Sequence, residues 1–133
     1  MQDAGVAEKV AAFSALAGHE YMRLTTFRKN GEPVPTPVWF AQEDDRLYVV
    51  TDAESGKVKR IRRNAQVEVC PCDSRGNPRG DSAEAMARIL PEAEVPTAVA
   101  ALNRKYGWKK RMFELFIGIR RRPSAYLEFT PME

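Results

Sequence analysis

Five cations fall within the seven positions from Lys57 to Arg63, and no acidic residue interrupts them. Two small hydroxyl residues, Thr51 and Ser55, precede the cluster, and a glycine separates Ser55 from Lys57. Free backbone N–H groups and the dipole at the start of a helix both favour an anion. Two hydroxyls and an ammonium at such a point would complete a phosphate-binding cradle. The stretch is not a P-loop, because a P-loop ends in Gly-Lys-Ser/Thr.

Two other interpretations of the same cations stay open. On a helix, the apolar residues of this stretch recur at spacings of three and four, so they would pack on the protein and leave Lys59, Arg60 and Arg63 in water. These apolar residues are Val58, Ile61 and Ala65. A nucleic-acid footprint would need exposed aromatic residues among the cations or a known recognition motif, and neither accompanies Lys57. We therefore expect no nucleic-acid partner.

The sequence contains no constellation for side-chain catalysis, so the catalytic residues are unknown at this point. Its one histidine, His19, belongs to no Ser/His/Asp arrangement, and no motif pairs two carboxylates. Cys70 and Cys72 form a lone Cys-Pro-Cys, without the additional Cys or His ligands that a zinc site requires. We expect reduced, structural cysteines and no metal. If the protein is an enzyme, a cofactor must carry the chemistry.

Length and charge limit the organisation of the chain. Its 133 residues suit a single domain, 1–133, with one hydrophobic core. A formal charge of +3 is too small to make the whole molecule a polyanion binder. Residues 1–18 include charged side chains and no long apolar run, which argues against a signal peptide or a membrane span. We expect a cytoplasmic protein with no membrane partner.

Three helical regions are predicted to frame the candidate site. Apolar residues at helical spacing predict an N-terminal helix over residues 6–17. Ser55 is a suitable N-cap for a second helix over residues 56–64. Pro96 suits the first turn of a third helix, which opens a helical insertion at about 94–117.

Strands make up most of the remaining chain. Residues 19–42 are predicted to form two strands joined by Asn30-Gly31, a hairpin turn signal. Pro33, Pro35 and Pro37 lie in the second arm, and proline cannot donate to a ladder, so this arm should have an unpaired edge or a bulge. Further strands are expected at "RLYVVT", "VEVCPCD", "AEAMARIL" and "SAYLEFT". The Ala-rich "AEAMARIL" has helical propensity, but its place in the order favours a strand. A mainly β, antiparallel barrel with helical additions fits best.

The order of these motifs resembles a known superfamily. The run "LTTFRKNGEPVPTPVWF", then "LYVVT", then "SGKVKRIRRN" and "VEVCPCD" is similar to the split β-barrel flavin and deazaflavin proteins related to pyridoxamine 5′-phosphate oxidase. More narrowly, it resembles the actinobacterial F420-dependent branch. The resemblance covers about Tyr21 to Asp73, with a looser similarity in "ARIL" and "AYLEFTP". It implies a split β-barrel of the FMN-binding type, forming a homodimer with two cofactors in grooves at the subunit interface.

The resemblance also implies which residues hold the cofactor. The phosphate-binding positions carry over onto Thr51, Ser55 and Lys57, with Arg60 or Lys59 as an additional cation. The isoalloxazine-type ring of such proteins lies along the second strand, which here carries three further positions. These positions are Thr36, Pro37 and Val38. On the preceding strand, Thr26 and Arg28 would lie near the ring or the phosphate.

The implied activity is that of an oxidoreductase that passes a hydride from reduced F420 to an electron-poor organic acceptor. Two alternatives are an FMN-dependent oxidase or reductase, and a non-catalytic carrier of a flavin, a deazaflavin or haem. Vitamin B6 oxidation is disfavoured, since the arginines at 120–122 are not followed by the histidine of an Arg-x-His signature.

Overall fold

The computed structural model describes residues 12–107 and 123–132. Within these ranges, seven strands form one antiparallel sheet. The strands are β1 (Tyr21–Phe27), β2 (Pro33–Trp39), β3 (Ala41–Glu43), β4 (Arg46–Asp52), β5 (Gln66–Cys72), β6 (Ala83–Ile89) and β7 (Ser124–Pro131). The helices are α1 (Gly56–Arg63) and α2 (Val95–Tyr106), with 3-10 turns at Ser14–Leu16 and Glu92–Glu94. The mainly β class and the strand at "AEAMARIL" are therefore confirmed.

The sheet closes on itself at one residue. Its strand order is β2-β1-β5-β6-β7-β4-β3, which places β2 and β3 at opposite edges. Only Phe40 separates these two strands in the chain, so the two edges of the curled sheet must meet there. The sequence had predicted one continuous arm over this region. The arm breaks because the Phe40 side chain is fully buried, and its N–H donates to the Tyr106 hydroxyl at 2.8 Å.

Away from Phe40, the two edges separate. β3 pairs with β4 only from Arg46 to Tyr48, and the rest of β4 has no described strand on that side. β2 carries prolines along its own open edge, and these cannot donate to a ladder. A wedge-shaped opening therefore lies between β2 and the second half of β4, and we call it the split. The expected split barrel is confirmed, and so is the unpaired edge expected for its second strand, which pairs with β1 on its other edge.

The β1–β2 hairpin follows the predicted turn chemistry. Gly31 adopts a φ of 88°, and its N–H donates to the Arg28 carbonyl at 2.8 Å. The Arg28 N–H in turn donates to the Glu32 carbonyl at 2.8 Å. This is a type I turn followed by a left-handed glycine, the common geometry of three-residue hairpin loops.

Two hydrophobic clusters hold the fold together. The barrel interior is filled by large apolar side chains, among them Met22, Leu24, Phe40, Leu127 and Phe129. On the outside, α2 packs its Ala98, Ala101, Leu102 and Tyr106 against Ala41 and Tyr48. Cys70 and Cys72 are buried free thiols.

The predicted terminal and inserted helices are described only in part. The C-terminal part of the predicted helix 6–17 is a 3-10 turn. Its Leu16 N–H donates to the Phe13 carbonyl, three residues back in the chain, at 3.0 Å. Residues 6–11 of that prediction lie outside the described residues. So do residues 108–117 of the predicted insertion, whose first part forms α2. Among the described residues, no helix has the length and apolarity needed to cross a membrane.

Candidate functional site

Helix α1 begins at the open end of the split, directly after β4. The Ser55 hydroxyl caps the helix by accepting the Val58 N–H at 3.4 Å, as its sequence position predicted. Val58 and Ile61 are buried against the barrel. These contacts fix the start of α1, with its free N–H groups, beside the last residues of β4.

Lys57 points from α1 to the end of β4. Its Nζ donates to the Thr51 hydroxyl at 3.2 Å, and Thr51 is buried. Burial lowers the pKa of Lys57, the positive charge of Arg60 lowers it further, and Asp52 opposes the shift more weakly. The ammonium is therefore held in a place where its charge is poorly compensated.

Arg60 lies on the other side of the same helix start. Its Nε donates to the Thr26 hydroxyl on β1 at 2.6 Å. Its guanidinium lies over Gly56, where an added Cβ would fall 2.7 Å from Nη1. Burial and the neighbouring Arg28 and Arg63 lower the pKa of Arg60. The glycine thus allows this cation to reach the helix start.

Lys57 and Arg60 form no ion pair within residues 12–107 and 123–132, although the negative charge of Asp52 acts on Lys57. A partly buried cation without a counter-charge is costly unless an anion binds it. The donor set therefore fits the phosphate of a cofactor.

A cavity of about 320 Å³ lies in the split next to Lys57. Its β2 wall includes Pro37 and Val38, and its β4 wall includes Thr51. The structure thus brings together four of the seven predicted site residues, the fourth being Lys57. The volume is near the lower limit for small-molecule sites. Adjacent residues of β2 can line the same cavity because the cavity borders the edge of this strand, not one of the faces of the sheet.

A second, shallower cavity of about 450 Å³ continues from the first turn of α1. Its walls are largely cationic: Arg28, Lys29, Lys59, Arg60 and Arg63. We call this surface the cationic groove. Arg60, predicted as an additional cofactor cation, lies here. Arg28, which was predicted on the first strand, also lies here, in the turn directly after β1. Lys59 is exposed, as expected for a solvated helix face.

Two predicted residues line neither cavity. Thr36 is half-buried, and its hydroxyl donates to the Leu24 carbonyl of β1 at 3.5 Å. Ser55 lines neither cavity, since its hydroxyl serves as the helix cap. Both residues position neighbouring site residues, and their predicted direct contact with a cofactor stays a prediction.

The sequence did not identify the aromatic wall of the cavity. Trp39 and Tyr21 line it, with ring centroids 6.2 Å apart. Tyr106 of α2 stacks behind Trp39, with centroids 5.3 Å apart and ring planes at 19°. Trp39 follows Pro37 and Val38 in the chain, so its position next to two predicted site residues could have identified it from the sequence. Nothing local in the sequence indicates Tyr106.

A comparison with protein-family models identifies the chain's relatives. The family model described as pyridoxamine 5′-phosphate oxidase matches residues 6–133. The chain belongs to this family. No match is found among curated proteins.

Solved structures of similar fold bind different groups. A FAD-binding protein from Mesorhizobium loti has a TM-score of 0.61 and 17% identity, and the match covers 93% of this chain and 87% of the other. The haem storage protein HutZ from Vibrio cholerae has a TM-score of 0.65 and 14% identity, covering 98% and 90%. A candidate 5-nitroimidazole antibiotic resistance protein from Bacteroides thetaiotaomicron has a TM-score of 0.67 and 14% identity, covering 92% and 79%. At these identities, the likeness shows the fold of the pyridoxamine 5′-phosphate oxidase family.

Proposed function

We propose that this protein is an F420-dependent oxidoreductase that transfers a hydride between the deazaflavin and a small organic acceptor. The observation that carries the proposal is the pair Lys57 and Arg60, two partly buried cations that form no ion pair within residues 12–107 and 123–132. Lys57 lines the cavity of the split, and Arg60 lines the adjoining cationic groove. A cofactor phosphate would supply the missing charge. When bound, the deazaflavin supplies the hydride chemistry that no side-chain constellation here provides.

The residues have separate tasks in this proposal. Lys57 and Thr51 hold the phosphate, the start of α1 adds backbone N–H groups, and Arg60 adds a second positive charge. Pro37 and Val38 set the position of the ring in the split. A second copy of the chain would cover the exposed side of the split and exclude water, as the homodimer expected from the sequence requires.

The cationic groove favours F420 over FMN as the cofactor. FMN ends at its phosphate, whereas F420 continues past its phosphate into a tail with further carboxylates. The groove adds five basic side chains to Lys57, and no acidic side chain lines it among the residues that the structure describes. These cations would attract the additional negative charges of the tail.

FMN-dependent oxidation or reduction is the second candidate. The FAD-binding relative of the same fold supports a flavin in this split, and Lys57 with Thr51 suffices for one phosphate. A non-catalytic carrier is the third candidate, supported by the haem storage relative.

A side-by-side titration with F420, FMN, FAD and haemin tests the proposal. We expect F420 to bind most tightly, and its affinity to fall steeply with added salt because of the charged tail. The bound F420, once reduced, should be oxidised by an electron-poor acceptor from a panel of nitroaromatics, quinones and enones. Tighter binding of FMN would favour the second candidate. Tight binding without turnover of any acceptor would favour the carrier.

A further inference from the structure

The outer face of the sheet carries an arginine beside the split, Arg23 of β1. Its chain neighbours Met22 and Leu24 are fully buried in the barrel interior, so Arg23 points to the outside. Its cross-strand partners are Pro37 of β2 and Cys70 of β5. The side chains of cross-strand partners lie on one face of a sheet, with Cβ atoms about 5 Å apart. Arg23 therefore lies next to Pro37, which lines the cavity of the split.

The cavity of the split opens toward this outer face. Tyr21 and Trp39 line the cavity, and they are cross-strand partners of each other. Each stands two positions along its strand from Arg23 or Pro37, so all four side chains lie on the same face. A molecule at the mouth of the cavity on this face therefore reaches the Arg23 guanidinium.

The guanidinium of Arg23 is not satisfied by the described part of the protein. Its Nε is buried and has no hydrogen-bond partner there, although the side chain as a whole is only half-buried. No ion pair within residues 12–107 and 123–132 includes Arg23. Glu68 lies diagonally across on β5, opposite Thr25, and does not pair with it. A half-buried charged group with an unmade hydrogen bond is costly unless a ligand supplies the acceptor.

A hydrogen-bonded loop between β5 and β6 forms a wall beside Pro37. The Asp73 carboxylate accepts the backbone N–H groups of Arg75 and Asn77 at 2.9 and 3.0 Å, and hydrogen bonds from Asn77 lower the pKa of Asp73 to about 2. Gly76 adopts a φ of 89°, and a Cβ added to it would lie 3.6 Å from Pro37 Cδ. The Arg75 side chain is exposed and forms no ion pair among the described residues. The loop thus adds a second cation near this rim, while its own carboxylate is engaged.

We propose that Arg23 binds a carboxylate of the acceptor substrate, so that the protein selects anionic, electron-poor acceptors over their neutral analogues. The inference rests on the proposed function and specifies the substrate class of the same site. The cofactor ring occupies the cavity in that function, so the acceptor lies at the mouth, where Arg23 is. A guanidinium offers two parallel N–H donors and a positive charge to a carboxylate, whereas a neutral amide accepts through one oxygen.

The experiment compares the affinities of para-nitrobenzoate and para-nitrobenzamide, which have nearly the same shape and differ in charge. Both are titrated into the protein with oxidised F420 bound, which holds no hydride to transfer, and into the protein without cofactor. We expect the wild-type protein to bind the carboxylate about tenfold to a hundredfold more tightly than the amide, the effect of charge-assisted hydrogen bonds.

Three variants assign this preference to Arg23. Arg23→Gln should abolish it, and Arg23→Lys, which keeps the charge but loses the two parallel donors, should leave a smaller preference. Arg62→Gln removes an exposed arginine of α1 that lines neither cavity, and it should behave as the wild type. The affinity for F420 should stay within about twofold in all three variants.

The outcomes separate this inference from the proposed function. If F420 binds but the wild-type protein has equal affinity for the two compounds, or if Arg23→Gln retains the preference, the inference is wrong and the proposed function stands. An equal loss of F420 affinity in Arg23→Gln would also overturn the inference, because Arg23 would then support the cofactor or the fold. If F420 does not bind, the proposed function is wrong, and the titrations without cofactor decide whether Arg23 binds a carboxylate.

Discussion

The cations at the start of α1 and the arginine of β6 have opposite electrostatic environments. Arg88 on β6 donates to Glu128 at 3.0 Å and to Glu94 at 2.7 Å. These hydrogen bonds, first with Glu94 and then with Glu128, raise the pKa of Arg88. At α1, the pKa values of Lys57 and Arg60 are lowered, with burial as the largest cause.

The difference separates a structural charge cluster from a binding site. The Glu128 carboxylate is 8% exposed and also accepts from the Tyr48 hydroxyl at 3.1 Å and from Arg46 at 3.4 Å. The negative charge of this carboxylate is therefore engaged within the protein. Through Arg88, the carboxylate connects the turn before α2 to the sheet. At α1, no ion pair in the described part of the chain neutralises Lys57 or Arg60, so an external anion can be bound there with a gain in free energy.

The largest expected effect is on the free energy of unfolding, and it arises at the charge cluster around Glu128. Glu128→Ala removes the shared carboxylate and should lower the free energy of unfolding by about 3 kcal/mol, since Arg46 and the buried Tyr48 hydroxyl lose this acceptor and Arg88 keeps Glu94 alone. Urea unfolding measures this value. Glu92→Ala, at an exposed glutamate, is the control and should change it by less than about 0.5 kcal/mol. Cofactor affinity of the folded Glu128→Ala protein should stay within about twofold; a large loss there would contradict the division of roles.

The second largest effect is expected on cofactor affinity, at the start of α1. Lys57→Ala removes a charge-assisted contact of about 1.5–3 kcal/mol, so F420 or FMN should bind about tenfold to a hundredfold more weakly. Arg62→Ala, five residues along the same helix, exposed and outside the lining of both cavities, is the matched control. Its effect should be small and should vanish at high salt. Equal losses from the two variants would indicate a general charge effect rather than a phosphate site.

A smaller effect is expected from the glycine beneath Arg60. Gly56→Ala would place a Cβ 2.7 Å from the Arg60 guanidinium and push that flexible side chain aside, so cofactor affinity should fall about threefold. The fold should not lose stability, because alanine is the better helix former. In an Arg60→Ala background, the same glycine substitution should have no further effect on affinity. A persisting loss would mean that Gly56 contacts the cofactor itself.

The smallest effect is a pH dependence of binding. A bound phosphate favours the charged form of Lys57, whose pKa in the free protein lies below its ordinary value of 10.5. Affinity should therefore fall as pH rises through that lowered pKa, in a window that begins below 10.5. Lys57→Arg should abolish the decline, because arginine stays charged throughout. A decline that persists in this variant would point to another group, such as Lys105, whose pKa burial lowers to about 8.

Local rules predicted much of the site. The Ser55 cap, the glycine turn of the first hairpin and the proline edge of β2 depend on residues adjacent in the chain. These features were sufficient to predict a helix start and an open strand edge. That the two lie beside one cavity followed only from the resemblance to a known superfamily, and the structure now brings Lys57 and Pro37 together there.

The sequence by itself determined the helices and strands, where they begin and end, and which strand edge stays open. These features depend on short-range chemistry, namely caps, turns and the donors of each strand. Only the tertiary structure decided which distant residues complete the site. Tyr106 supports Trp39 from 67 positions away in the chain, and the Thr26 hydroxyl holds Arg60 across 34 positions. Such contacts depend on how far the sheet curls before its edges meet at Phe40, which is a property of the whole packed barrel rather than of any segment.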